Sequence, residues 1–497
     1  MKYLSTRNKS LQLGGAQVIA QGISTDGGLF VPSILPQLEQ VRLLHLTSLS
    51  YVDRARNVLA DFLDEFSDEE ISRCVSAAYG GNRFDNEKVA PVVPLTDTVG
   101  ILELWHGPTC AFKDMALQLL PHLLNESLKK VGVGREAVIL VATSGDTGKA
   151  ALEGFRDVKN ARIIVYYPHG GVSNIQHLQM ATQEGGNVAV CAVRGNFDDT
   201  QTAVKKIFTD PFMAEELRAR DIMFSSANSI NWGRLAPQII YYISAYCDMV
   251  KSGKIMAGHR INVCVPTGNF GNILAAYYAK EMGLPIGKLI CASNINNVLT
   301  DFIHTGVYDR RRDFVLTSSP SMDILISSNL ERLIYELCDK DDEMVASLMA
   351  QLAERGVYEI PDNAKEQLQY DFYGGFCDEG ETGKTIRETF DRYHYLCDTH
   401  TAVAIGVYNK YLSETGDDTK TLIVSTANPY KFSDSILGVF GIEKSENDFE
   451  NLRALSRHTG SPVPPQLLAL ENKPIRFDDV CSREEMPEIV RRYLNMK

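Results

Sequence analysis

Lys113 stands at an unusual junction. Leu104-Trp105-His106-Gly107-Pro108-Thr109-Cys110-Ala111-Phe112 leads into it, and Asp114-Met115 opens an apolar helical run behind it. A solvated helix start suits an aspartate, which meets the positive end of the helix dipole, and disfavours a lysine. Beside Phe112 and Met115 the lysine therefore reads as partly desolvated. Desolvation lowers the pKa of an ammonium and frees the amine as a nucleophile suited to a Schiff base. A structural lysine is the other reading of the same residues. Two further stretches break from apolar runs into Gly-, Ser-, Thr- and Asn-rich turns that open helices. One is Val141-Ala142-Thr143-Ser144-Gly145-Asp146-Thr147-Gly148-Lys149, the other Val265-Pro266-Thr267-Gly268-Asn269-Phe270-Gly271-Asn272. In the second, two glycines admit a close backbone approach, and N–H groups at a helix N-terminus converge on an anion, most naturally a phosphate. Such a turn also serves as a plain structural corner. A P-loop is excluded because two residues separate Gly145 from Gly148 and no Ser or Thr follows Lys149, and neither turn holds G-x-G-x-x-G.

Holding these turns in place requires a frame. Beyond Pro91 and Pro94, short apolar segments alternate with helical patterns, as in βαβ units around a parallel sheet. Strands are expected at 137–142, 163–167, 188–193, 261–265, 289–292 and 422–424, each short and, Asn262 aside, apolar, as strands buried on both faces are. The Gly-rich turns fall at strand ends, where open α/β sheets bind ligands. At about 150 residues per domain, 497 residues suggest roughly three units. These are a cap region at 1–90, helical with interruptions; a smaller α/β lobe at 91–205 with Lys113 and the 144–148 turn; and a larger α/β lobe at 206–497. The larger lobe holds the phosphate turn and a charged, helix-rich insertion at about 301–395.

Charge narrows the partners. Fifty Lys and Arg against 63 Asp and Glu leave a net −13, which argues against an electrostatic grip on nucleic acid or anionic lipid. No apolar run approaches the ~20 residues of a membrane span. The N-terminus shows neither a signal-peptide stretch nor an arginine-rich presequence, so a cytoplasmic chain is expected. Ten cysteines without a C-x-x-C pair suggest neither a zinc ribbon nor a disulfide framework. His394, Cys397 and His400 have ligand-like spacing, yet no fourth ligand cluster lies nearby, and no metal is expected.

A reactive lysine and a phosphate cup on an α/β frame are the composition of a pyridoxal 5'-phosphate site. HGPTCAFKD at 106–114 resembles the cofactor-lysine motif of threonine synthases. TSGDTGKAA at 143–151, PTGNFGN at 266–272 and STANPYKF at 425–432 resemble their other signatures, in the same order. YLSTR, STDGGLFVP, ASNINNVLTDF, SPSMDI and SSNLERL are also similar to that family, so the likeness runs through most of the chain.

The resemblance implies two open parallel-sheet lobes of the fold type II class and conversion of O-phosphohomoserine and water to threonine and phosphate. It implies that Lys113 carries the cofactor and then shuttles protons, and that Gly268, Asn269, Phe270, Gly271 and Asn272 hold the cofactor phosphate. Thr426 would meet the ring nitrogen. Ser144, Gly145, Asp146 and Thr147 would receive the substrate carboxylate, with Asp146 also near the ring hydroxyl. An aspartate there is electrostatically awkward unless Lys149 or the cofactor compensates it. Asn228, Ser229 and Arg234 resemble the site for the substrate's own phosphate, with Lys149 as an additional cation. The chain departs from relatives at Asn428, where His is common, and at Thr399, where Pro is common. A dehydratase or phospho-lyase yielding 2-oxobutyrate is the nearest rival, and a non-catalytic α/β binding protein, which has no need of Lys113, the more distant one. A monomer and a homodimer are both compatible with the sequence.

Overall fold

The computed structural model describes residues 1–132, 136–143, 145–195 and 197–496, apart from the side chains of residues 197 and 198. Its larger sheet runs, edge to edge, Phe372–Phe376, Ile286–Ser293, Ile261–Pro266, Thr421–Ser425, Val99–Glu103 and Val92–Pro94. Every pairing is parallel except the edge hairpin formed by the last two strands. The smaller sheet, all parallel, runs Val480–Cys481, Val188–Val193, Ala161–Pro168, Glu136–Ala142 and Ile222–Ser225. All six expected strands form. Their apolar residues are buried on both faces, as expected of strands covered on both sides.

The lobes are not the contiguous segments expected. Val99–Glu103, placed in the smaller lobe by the expected boundary at 91, pairs with Thr421–Ser425 in the larger sheet. Ile222–Ser225 and Val480–Cys481, placed in the larger lobe, complete the smaller sheet. A parallel strand joins whichever neighbour its crossover reaches, so proximity in sequence does not assign it to a sheet. The insertion at 301–395 also differs from expectation. It contributes the hairpin Val307–Asp309 with Val357–Glu359 and several helices, but Phe372–Phe376 returns as the edge strand of the larger sheet. Gly374 and Gly375 interrupt its apolar pattern.

The cap region holds a three-stranded antiparallel sheet, Tyr3–Ser5, Asn8–Leu13 and Phe30–Pro32, beside the helices Gly15–Gln21, Gln40–Thr47, Tyr51–Phe62 and Asp68–Tyr79. Ser50 caps the third of these helices, and a Ser67–Glu70 capping box opens the fourth. The helix Trp232–Lys251 is buried over most of its length and packs on cap helices and on the helices Asp114–Leu117 and Gly271–Glu281. One apolar core is continuous through the cap and both sheets. Among the described residues no helix is long and apolar enough to cross a membrane.

Candidate active site

A cavity of about 670 Å³ is walled by Thr143, Asn228, Gly268 and Thr426, each just beyond the C-terminal end of a strand in one of the two sheets. Open α/β folds bind ligands at such ends. Lys113 enters this cavity from the residue before the helix Asp114–Leu117. Its loop is fastened to the Thr426 loop by backbone bonds: Phe112 N donates to Thr426 O at 2.8 Å, and Asn428 N to Cys110 O at 3.0 Å. The Lys113 ammonium donates to Ser321 Oγ at 3.3 Å and lies 3.9 Å from Asp146 Oδ2. Burial pushes it down to about 8 against the pull of Asp146, with the nearby charges of Lys431 and Arg234 adding to the fall. Asp114 does not sit at a solvated helix start. It is fully buried and turns back to accept from Thr109 N and Oγ1, both at 2.8 Å.

The turn after Ile261–Pro266 forms the opposite wall. Phe270 caps the helix Gly271–Glu281 at φ +63°, an uncommon conformation for a non-glycine residue. A Cβ on Gly268 would collide with the carbonyl of Ser321, so only glycine fits between this turn and its neighbour. The Tyr241 and Tyr242 hydroxyls both donate to Asn272 Oδ1. That turns the amide so that its buried Nδ2 has no hydrogen-bond partner among the described residues, in a side chain that lines the cavity. An open buried donor at a glycine-walled helix N-terminus suits a phosphate.

Asp146 opens the helix Asp146–Phe155 and is buried. Its compensating cation is neither of the expected ones. The fully buried Lys431 lies 2.6 Å from Asp146 Oδ1, and Gln176 Nε2 donates to the same oxygen at 3.0 Å. Burial opposes ionisation of the carboxyl, but Lys431, Lys113 and Gln176 outweigh it and hold Asp146 well below the usual carboxylate range. Lys431 Nζ also donates to Thr109 O at 3.0 Å, tying the STANPYKF loop to the lysine loop. Gly145 and Gly148 donate their amides to Thr143 Oγ1 at 3.0 and 2.9 Å, and Thr147 lines the cavity. Ser144 lies outside the described residues.

Arg234, Asn228 and Ser229 line the same cavity. Arg234 is 3% exposed, and burial pushes its guanidinium down to about 10. Its Nη1 donates to Ala227 O at 3.0 Å, while its buried Nε has no partner among the described residues. Lys149 is not there. It bonds Gln183 and Glu153 and lines a separate cavity with Asp85 and His106. At ~100° per residue, Thr147 and Lys149 lie about 200° apart around their helix and cannot face one cavity.

Three other residues join the site without having been singled out from sequence. Arg7 reaches it from the cap, Ser321 from the 3-10 turn Pro320–Met322, and Lys431 beneath Asp146. All three stood inside quoted motifs, YLSTR, SPSMDI and STANPYKF, without a role of their own. His400, weighed above as a metal ligand, instead pairs with Asp398 and lines the cavity. Among the described residues no group of three or more His, Cys, Asp or Glu is placed to hold a metal.

Two parallel-sheet lobes meeting at strand C-termini around a buried lysine and a glycine-walled helix N-terminus define the fold type II class. The family model described as Threonine synthase N terminus matches residues 2–79, and that described as Threonine synthase, C-terminal, matches 401–492. Threonine synthase from Eremothecium gossypii is 36% identical over 462 residues, spanning 87% of this chain and 88% of its own. The PLP-bound threonine synthase from Brucella melitensis matches with a TM-score of 0.88 at 35% identity over 99% of each chain. The chain belongs to the threonine synthase family. It is also 41% identical over 458 residues to Threonine synthase-like 1 from Homo sapiens, covering 90% of this chain but 61% of that protein's length.

Proposed function

We propose that this chain is a threonine synthase, using pyridoxal phosphate to convert O-phosphohomoserine and water to L-threonine and phosphate. The observation that carries the reading is two separate open donors, Asn272 Nδ2 and Arg234 Nε, buried in side chains that share one cavity with Lys113. Two phosphates, one on the cofactor and one on the substrate, satisfy both. A dehydratase acting on free serine or threonine brings only one.

Pyridoxal phosphate, when bound, supplies an electron sink to the carbons of an attached amino acid. Lys113 would anchor it and, as the free amine, take and return protons; a pKa near 8 keeps a useful share of the amine neutral at neutral pH. Backbone N–H groups of Gly268 to Asn272 and the Asn272 amide bind the cofactor phosphate. Thr426, on the cavity wall, would offer its hydroxyl to the ring nitrogen, and a neutral partner would leave that nitrogen less protonated than an aspartate would. Thr147, on the cavity wall, and Ser144 would receive the substrate carboxylate, while Gly145, its amide given to Thr143 Oγ1, would shape their turn. Asp146, neutralised by Lys431, orients that turn. Arg234, Asn228 and Ser229 hold the substrate phosphate and retain it as it leaves from the γ carbon.

Incubation of the purified protein with O-phosphohomoserine and pyridoxal phosphate tests the proposal by scoring threonine against 2-oxobutyrate. Threonine is expected, and Lys113→Ala abolishes it. Production of 2-oxobutyrate alone assigns the chain to the phospho-lyases, and absence of both products overturns the reading.

A further inference from the structure

His400, in the first turn of the helix Thr399–Thr415, has no part in the roles above, yet it is 2% exposed and forms part of the cavity wall. Its ring nitrogens are committed in opposite senses. Nε2 lies 3.2 Å from the backbone N of Ser321, which has only a hydrogen to offer, so Nε2 is the unprotonated acceptor. The ring proton therefore sits on Nδ1, 2.7 Å from Asp398 Oδ2. Asp398 is itself fully buried and accepts from the amides of His400 and Thr401 at 2.9 and 3.2 Å and from the Thr401 hydroxyl. A carboxylate on Nδ1 fixes both tautomer and ring orientation.

What Nε2 holds is the turn Pro320–Met322, and both halves of the cofactor site lean on that turn. Ser321 Oγ accepts from Lys113 Nζ at 3.3 Å, and Ser321 O occupies the place a Cβ on Gly268 would take. Thr399 Oγ1 adds a tie to Ser318 O at 2.7 Å. A single 3-10 turn is held weakly by its own bonds, so its position is set by what it leans on. We infer that His400, oriented by Asp398, is a positioning residue that sets Ser321 against Lys113 and the phosphate turn. The importance of those two contacts rests on the function proposed above; the positioning itself is a property of the chain.

His400→Leu removes the acceptor, whereas His400→Gln carries an oxygen to about the place of Nε2 and restores it. Hydrogen exchange of the Ser321 and Met322 amides in the full chain reads the turn directly, and pyridoxal phosphate affinity, titrated by absorbance, reads the consequence. His400→Leu is expected to speed exchange and weaken cofactor binding by about tenfold or more each, with His400→Gln returning both to within about threefold of wild type. Should His400→Leu not fold, His400→Asn, too short to reach Ser321, takes its place. Unchanged exchange in the acceptor-less variant, or equal losses with Gln and Leu, overturns the inference. Faster exchange in His400→Leu, rescued by Gln, in a protein that makes no threonine sustains the positioning and rejects the proposed function.

Discussion

Lys113 and Asp146 look like a simple ion pair until Lys431 is included. Three charges of alternating use share one buried space: Lys431 neutralises Asp146 at 2.6 Å, which leaves Lys113, at 3.9 Å, only partly held and therefore reactive. Uptake of pyridoxal phosphate needs the neutral amine, so in the cofactor-free enzyme its rate should rise with pH around a midpoint near 8, the value to which burial lowers Lys113. Lys431→Gln removes a cation that depresses Lys113 and gives Asp146 over to it, so the midpoint should move upward. A midpoint unmoved or lowered in that variant contradicts the arrangement. The same variant leaves Asp146 only Gln176 at 3.0 Å and Lys113 at 3.9 Å, so part of the about 3–5 kcal/mol that breaking a buried pair costs should appear, and Asp146→Asn added to it should restore some of the lost stability, read by denaturant titration. Lys113, Arg234 and the 268–272 turn all line the cavity; the first and last were legible because each carries a local signal, and Arg234 was legible through the family resemblance. Lys431 was not, since its meaning depends on a partner 285 positions away and no periodicity records such a pair.

Among the elements, the short helix Asp114–Leu117 is placed by the helix Asp146–Phe155 lying unusually close against it. A Cβ on Gly154 would collide with the Leu117 carbonyl, a backbone atom that cannot rotate away. Gly154→Ala should therefore destabilise the protein by about 1–3 kcal/mol although alanine is the better helix former, because overpacking outweighs propensity. The shift should appear as a lower Tm and weaker cofactor retention, since the displaced helix begins one residue after Lys113. A Tm at or above wild type would mean that the helices are free to part. Short, dense apolar segments between helical patterns were readable, and all six such strands form. Val99–Glu103 and Phe372–Phe376 were not, one being attached to a lobe distant in sequence and the other broken by two glycines. Lys149 was misplaced by reading a motif as a string: helical phase alone separates it from Thr147 by about 200°.

In the whole molecule, the cap is a wall of the site rather than an appendage, and a few side chains bolt it on. Arg7 donates to Glu331 through Nε and Nη2 at 2.9 and 2.7 Å, Thr6 Oγ1 donates to the same carboxylate at 2.6 Å, and the buried Arg332 reaches Phe30 O at 2.9 Å and Ile230 O at 2.6 Å. The segments YLSTR and SSNLERL thus meet in one contact across more than 320 positions. Arg7 and Leu29 line the cavity with Lys113, so loosening this joint should reach the substrate. Glu331→Gln keeps the shape but removes the charge that fixes Arg7, and its loss should cost about 1–3 kcal/mol because Glu331 is buried while Arg7 is partly exposed. Limited proteolysis should then cut first within the cap, and KM for the phosphorylated substrate should rise more than kcat falls, since the reacting groups stay in place. Glu331→Asp, too short to reach both nitrogens together, should fall between the two. Equal protease resistance and an unchanged KM in Glu331→Gln would show that the apolar core shared by cap and lobes fixes the wall without this pair.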